Sequence, residues 1–202
     1  NKEDIHARTA AEVLGIGIDE VTPQQRRSAK AVNFGIVYGI SDFGLAQDLG
    51  ISRGEAKAYI EAYLQRYDGV RQYMQDIVAQ GREHGFVQTL CGRKRWLPDL
   101  RSRNFNLRSF AERTALNTPI QGTAADIIKL AMLRVQQALT EAGLQSRMLL
   151  QVHDELIFDV PRTELEQLQA LVREAMEGAF ALKVPLVVDM KIGEDWYNME
   201  KI

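Results

Sequence analysis

The chain has 202 residues, 46% of them hydrophobic, enough for one packed domain or two small ones. No run approaches the roughly 18 uninterrupted apolar residues that a membrane span needs, and Asn1-Lys2-Glu3-Asp4 does not open a signal peptide, so no membrane partner and a cytoplasmic location are expected. Cys91 is the only cysteine, which excludes an internal disulfide and a cysteine-based zinc cluster, and the formal charge of -2 gives no global argument for nucleic acid.

In chain order, the pattern predicts a helix over residues 4–14 and a second from Thr22 to about Tyr38. Thr22-Pro23-Gln24-Gln25 supplies its N-cap, a proline in the first turn and a glutamine at capping-box spacing, and Gly39 ends it. Further helices are expected over 41–49, 52–67 and 70–83, punctuated by Gly50, Asp68-Gly69 and Gly85. Residues 86–90 read as a short strand, and Gly92 begins a basic loop containing Pro98. A helix over 104–116 should break at Asn117-Thr118-Pro119, with another from about Gln121 to Ala142. Two apolar runs, 148–152 and 156–160, flank His153-Asp154-Glu155 and suggest a hairpin with a charged tip. A helix to about Leu182 and a strand over 184–192 complete the chain. The fold class expected is α+β: a helical part over residues 1–104, then part of an antiparallel sheet with covering helices over 105–202.

Four groups of residues have the makings of chemistry. Arg93, Lys94, Arg95, Arg101, Arg103, Arg108 and Arg113 face only Asp99 and Glu112 over 93–113, a local basic stripe that is either a phosphate-binding surface or a solvated loop and helix face. Arg26, Lys30, Phe34 and Tyr38 recur every four residues and so share one stripe of a helix. A nucleotide laid along such a helix would meet cations at its triphosphate and rings by its sugar and base. An amphipathic helix whose long cations snorkel is the alternative. At the hairpin tip, Asp154 and Glu155 are adjacent carboxylates, hard oxygen donors that suit Mg²⁺ better than zinc, unless this is merely a polar turn. Arg113, Asn117 and Gln121 are again spaced by four, and their side chains suit the minor-groove acceptors present on every base pair, although helix capping explains Asn117 equally well.

The segment Arg26-Arg27-Ser28-Ala29-Lys30-Ala31-Val32-Asn33-Phe34-Gly35-Ile36-Val37-Tyr38-Gly39 resembles the nucleotide-binding fingers helix of family A DNA polymerases. Gln151-Val152-His153-Asp154-Glu155-Leu156 resembles the palm hairpin that carries a catalytic aspartate in that family, and Thr118-Pro119-Ile120-Gln121-Gly122-Thr123-Ala124-Ala125-Asp126 resembles the segment joining the two. The likeness runs the length of the chain, with the motifs in order. It implies fingers over 1–104 and the C-terminal part of the palm over 105–202. It also implies deoxynucleoside triphosphates and primer–template DNA as partners and Mg²⁺ as cofactor.

Residue by residue, the resemblance implies that His6, Arg26 and Lys30 contact the incoming triphosphate, with Lys30 also placed to protonate or neutralise the departing pyrophosphate. Phe34 would pack beside the sugar, and phenylalanine here goes with rejection of nucleotides lacking the 3′ hydroxyl. Tyr38 and Gly39 would sit by the template base, Arg113, Asn117 and Gln121 along the minor groove, and Gln151 with His153 at the primer terminus. Asp154 would hold a catalytic Mg²⁺, with Glu155 nearby. The reaction implied is in-line attack by the primer 3′ oxygen on the α-phosphate, helped by two metal ions. The family's other aspartate lies upstream of Asp4-Ile5-His6 in a pattern like Asp-Tyr-Ser-Gln-Ile-Glu, which this sequence does not contain. The chain as given is therefore expected not to polymerise DNA without upstream segments, a palm strand and a thumb, and its hairpin is expected to expose an edge that invites self-association.

Two other classes compete. Metal-dependent phosphohydrolases with a His-Asp pair need further histidines on the metal, and His6 and His84 are the only others here. A non-catalytic nucleic-acid-binding module would be supported by the basic stripe alone.

Overall fold

The computed structural model describes residues 4–202. They form two compact units, one up to Gly122 and one from Thr123 onward. This division by compactness falls later than the composition boundary at residue 104. The α+β class is as expected, with helices predominating over short antiparallel pairs of strands.

Local signals set the ends of the first five helices. Asp4 caps α1 (Ile5–Leu14) by accepting from the amides of His6 and Ala7. Thr22 and Gln25 form a reciprocal capping box on α2 (Pro23–Val37), so the first orphan amides are satisfied as the sequence predicts. Ser41 caps α3 (Asp42–Leu49), and Ser52 with Glu55 forms a second box on α4 (Arg53–Arg66). α5 (Asp68–His84) follows directly. Val32 and Ile36 of α2 pack with Leu45, Ala46, Ala56 and Tyr63 into one apolar core. That core uses the side of α2 away from the Arg26 to Tyr38 stripe.

The stretch expected to be one strand and a basic loop is a hairpin. β1 (Phe86–Gln88) pairs antiparallel with β2 (Lys94–Trp96), and the Phe86 and Trp96 rings meet edge-on at 5.1 Å. Lys94 lies 4.4 Å over the Phe86 ring, so one of the basic residues is spent on a cation–π contact. Val87 joins Leu97, Leu100, Ala111 and Ala115 in a second core.

The expected break at Asn117-Thr118-Pro119 does not occur: α6 runs unbroken from Phe105 to Glu141. Proline removes the amide that would bond the Ala115 carbonyl and crowds the preceding turn, while the carbonyls on either side of Ala115 each accept from a side chain. Thr118 Oγ1 donates to the Thr114 carbonyl at 2.7 Å and Tyr73 to that of Leu116 at 2.9 Å. Buried Ala115 and Leu116 before the proline, and Thr123 and Ala131 after it, hold both halves helical through tertiary packing.

In the second unit, β3 (Arg147–Val152) pairs antiparallel with β4 (Glu155–Asp159), with a bulge between Met148 and Leu150. Val135 and Leu139 of α6 and Leu168 and Val172 of α7 (Leu165–Glu177) pack with Phe158 and Val160, so helices cover this hairpin as expected. α7 stops at Glu177 rather than near Leu182, because Gly178 follows and its carbonyl accepts from Arg134. The run expected as a strand over 184–192 is strand only in β5 (Lys191–Gly193), which pairs with β6 (Met199–Lys201). The Val188 backbone bonds instead to Glu177 and Arg173 side chains, and Pro185 has no amide to give a ladder.

Candidate functional site

The stripe on α2 is a surface. Phe34 is 48% and Tyr38 44% exposed, and Arg26 and Lys30 are exposed in line with them, whereas Ala29, Val32 and Ile36 are buried. Other rings of this chain, such as Phe43 and Phe105, are more exposed still, so what sets this face apart is the alignment of two rings with two cations on one helix. Lys30 Nζ stands 6.0 Å from the Phe34 ring centroid. From α1, the His6 ring approaches Phe34 at 5.7 Å with planes inclined by 46°. His6, more than twenty residues away in sequence, is thus brought against the Lys30 and Phe34 face of α2.

Arg26 Nε is 2.6 Å from Asp4 Oδ2. The hydrogen bond from Arg26, then those from the Ala7 and His6 amides, hold the Asp4 carboxyl below its usual range. Both side chains remain largely exposed, and such a pair adds little to stability, so an arriving phosphate can displace Asp4 from the guanidinium. One residue escaped the sequence reasoning. Asn33 Nδ2 lies 3.0 Å from His6 Nδ1 and 3.1 Å from Thr9 Oγ1, a link across 27 residues of chain that no local pattern signals.

The end of α2 meets α6. Gly39 has φ 69, and a Cβ there would lie 2.9 Å from Arg113 Cγ and 3.1 Å from Leu116 Cδ1. Only glycine suits both the backbone and the approach. Gln121 Nε2 lies 3.3 Å from the Tyr38 hydroxyl, and Arg113 donates to Ser109 at 2.9 Å. Tyr38, Gly39, Arg113 and Gln121 therefore gather at one place, with half-buried Asn117 one turn away on α6. The Asn117 Oδ1 atom is buried without a hydrogen-bond partner. Asn117 cannot be the N-cap suggested as an alternative, because it is inside the helix.

In the second unit, His153 and Asp154 form the two-residue turn between β3 and β4. His153 adopts φ 55, the only positive φ of a non-glycine residue among those described. A two-residue hairpin turn requires a positive φ at its first position, and histidine tolerates it better than most non-glycine residues. Gln151 Nε2 donates to the His153 carbonyl at 2.9 Å, tying the turn to the strand. Gln151, His153, Asp154 and Glu155 are all exposed. Adjacent exposed carboxylates fit a hard cation that keeps waters or substrate oxygens in its remaining positions. Among the described residues, no group of three or more His, Cys, Asp or Glu converges as a self-sufficient metal site.

A shallow groove of about 390 Å³ lined by Ile5, Arg8, Thr9, Glu12, Arg66 and Tyr67 contains none of the expected site residues. It surrounds the ion pairs of Glu12 with Arg8, within α1, and with Arg66, which ties α1 to α4, both 3.0 Å. Among the described residues, no helix is long and apolar enough to cross a membrane.

The model of DNA polymerase family A matches residues 1–198, and the chain belongs to that family. Among curated relatives it is 58% identical over 198 residues to DNA polymerase I of Bacillus subtilis, covering 98% of this chain and 22% of that protein. It is 55% identical over 198 residues to DNA polymerase I of Caldicellulosiruptor bescii, covering 98% of this chain and 23% of that one. The chain thus spans under a quarter of the length of these relatives. Among solved structures, the polymerase domain of Pol1 from M. smegmatis, in complex with DNA primer–template and dNTP, is similar with a TM-score of 0.87 and 53% identity. That match covers 91% of this chain and 32% of the other.

Proposed function

We propose that the chain is the fingers, residues 1–104, and the C-terminal part of the palm, residues 105–202, of a DNA-directed DNA polymerase. The observation that carries this reading is the exposed Arg26, Lys30, Phe34 and Tyr38 face, with His6 against Phe34, in a chain of family A. Arg26, Lys30 and His6 bind the triphosphate of an incoming deoxynucleotide, and cations on a rigid helix orient it with little entropy left to lose. Phe34 packs on the sugar. Lys30 neutralises or protonates the departing pyrophosphate. Tyr38 and Gly39 meet the template base, Arg113, Asn117 and Gln121 meet the minor groove, and Gln151 and His153 support the primer end.

Asp154, with Glu155 beside it, holds a divalent cation such as Mg²⁺. That cation, when bound, supplies positive charge for the attacking and leaving oxygens. These residues furnish only part of the carboxylate set that phosphoryl transfer between nucleotides requires, so the 202 residues alone do not extend a primer. β3 and β4 are paired only with each other among the described residues, and the open edges favour association with upstream palm segments or with another copy.

The test is primer extension with Mg²⁺ and four deoxynucleotides, using this chain and a version lengthened upstream through a palm strand and a thumb. Extension by the longer protein alone is expected. Extension by the 202 residues would mean that another carboxylate completes the site. A second reading, a non-catalytic nucleic-acid-binding module, is favoured by the basic segment around β2. It requires binding of primer–template that weakens steeply with salt, and a flat dependence rejects it.

A further inference from the structure

We infer that Asn33 is a positioning residue that fixes the tautomer of His6, leaving the ring with its proton on Nε2 as a donor for a phosphate oxygen. The argument follows hydrogen atoms along a chain of contacts. Thr9 is buried, and its hydroxyl donates to the Ile5 carbonyl at 2.8 Å. The single hydroxyl hydrogen of Thr9 is thus engaged away from Asn33, and toward Asn33 its oxygen accepts. The group of Asn33 at 3.1 Å from Thr9 must then be the amide nitrogen rather than the oxygen.

That nitrogen has a second hydrogen, and it lies 3.0 Å from His6 Nδ1. Two donors cannot share one contact, so Nδ1 accepts and the neutral ring bears its proton on Nε2. The tilted stacking of His6 on Phe34 at 5.7 Å restrains the ring about its remaining torsion. Asn33 belongs to α2, the same helix as Arg26 and Lys30, and so ties the α1 histidine to the cationic helix it would work beside. In free water the two neutral tautomers interchange, and only one of them donates from Nε2. The inference rests on the triphosphate reading for its purpose but not for its geometry.

The experiment uses this chain with ¹⁵N-labelled histidine. It has three histidines, and the His6 signals are assigned by their loss in His6→Gln. Two-bond nitrogen–proton spectra are expected to show His6 as the Nε2–H form alone. Asn33→Asp, nearly the same shape with an acceptor in place of the donor, is expected to move the proton to Nδ1 in spectra and binding assays run at alkaline pH, where the ring stays neutral beside the new carboxylate. A wild-type ring in the Nδ1–H form or in rapid exchange, or a tautomer indifferent to Asn33→Asp, overturns the inference.

Inorganic tripolyphosphate then probes the function of the donor. Asn33→Asp also adds a negative charge, so its effect is measured with His6 present and in the His6→Gln background. It is expected to weaken binding about tenfold more when His6 is present, the size of one hydrogen bond to a charged group. Equal weakening in both backgrounds overturns the positioning role. If the wild-type tautomer is as stated but tripolyphosphate does not bind, the triphosphate reading of the face fails, while the hold of Asn33 on His6 stands.

Discussion

Replacing Glu12 with glutamine removes the charge that ties α1, and with it His6, to the end of α4. The Glu12 carboxylate accepts from Arg8, Tyr67 and Arg66, and these bonds draw its pKa from 4.5 to about 2. Taken whole, such a shift corresponds to roughly 3 kcal/mol of linkage. Glu12 is only 19% exposed, but Arg8 and Arg66 are 53% and 55% exposed, so water screens the pairs and about 1–2 kcal/mol is the expected loss at neutral pH.

The sign follows from a depressed folded-state pKa. The stabilisation is fully present above the unfolded value of 4.5 and disappears as pH falls through about 2. Urea unfolding of wild type and Glu12→Gln, followed by circular dichroism from pH 7 to pH 2, should therefore show a gap that closes between about pH 5 and pH 2. A gap of constant size across that range would refute the electrostatic account and leave packing as the cause.

Gly81→Ala places a Cβ 2.7 Å from Leu100 Cδ1 and 3.2 Å from Val87 Cγ1, and overpacking there should cost about 1–3 kcal/mol in urea unfolding despite the better helix propensity of alanine. In the lengthened polymerase, Phe34→Tyr should admit nucleotides that lack the 3′ hydroxyl, seen as chain termination at lower analogue concentrations. Lys30→Met should lower the rate of incorporation by roughly tenfold or more while leaving primer–template binding nearly unchanged, the outcome that the proposed contact of Lys30 with the triphosphate requires. Leu150 is 52% exposed on β3, and Leu150→Lys should reduce any self-association of the chain in sedimentation velocity by placing a charge on the open hairpin.

Much of the fold was legible because its signals are local. Capping boxes at Thr22 and Ser52 and the Ser41 cap set helix starts through contacts three residues apart, and those starts are where the sequence places them. The charged hairpin was equally plain, since two apolar runs flank His153-Asp154-Glu155, but the turn takes only His153 and Asp154, and Glu155 pairs with Val152 as the first residue of β4. Pro119 misled, because the rule that proline breaks helices is a local rule. Burial on both sides of it, with Tyr73 and Thr118 serving nearby carbonyls, outweighs the rule. The run over 184–192 misled in the opposite way: its composition suits a strand, but its backbone is taken by side chains of α7.

The candidate site divides along the same line. The sequence by itself determined the stripe of Arg26, Lys30, Phe34 and Tyr38, because a period of four on a helix is fixed by backbone geometry, and it carried the family through the motifs around that stripe and around Asp154. Only the tertiary structure decided that the stripe faces outward and that His6 stands against Phe34. It also decided that Gly39 closes on Arg113, and that Asn33 reaches His6 and Thr9. The physical reason is that each of these is a contact between separate helices, set by which faces the apolar cores of α2 and α6 bury, and no spacing within one segment encodes it.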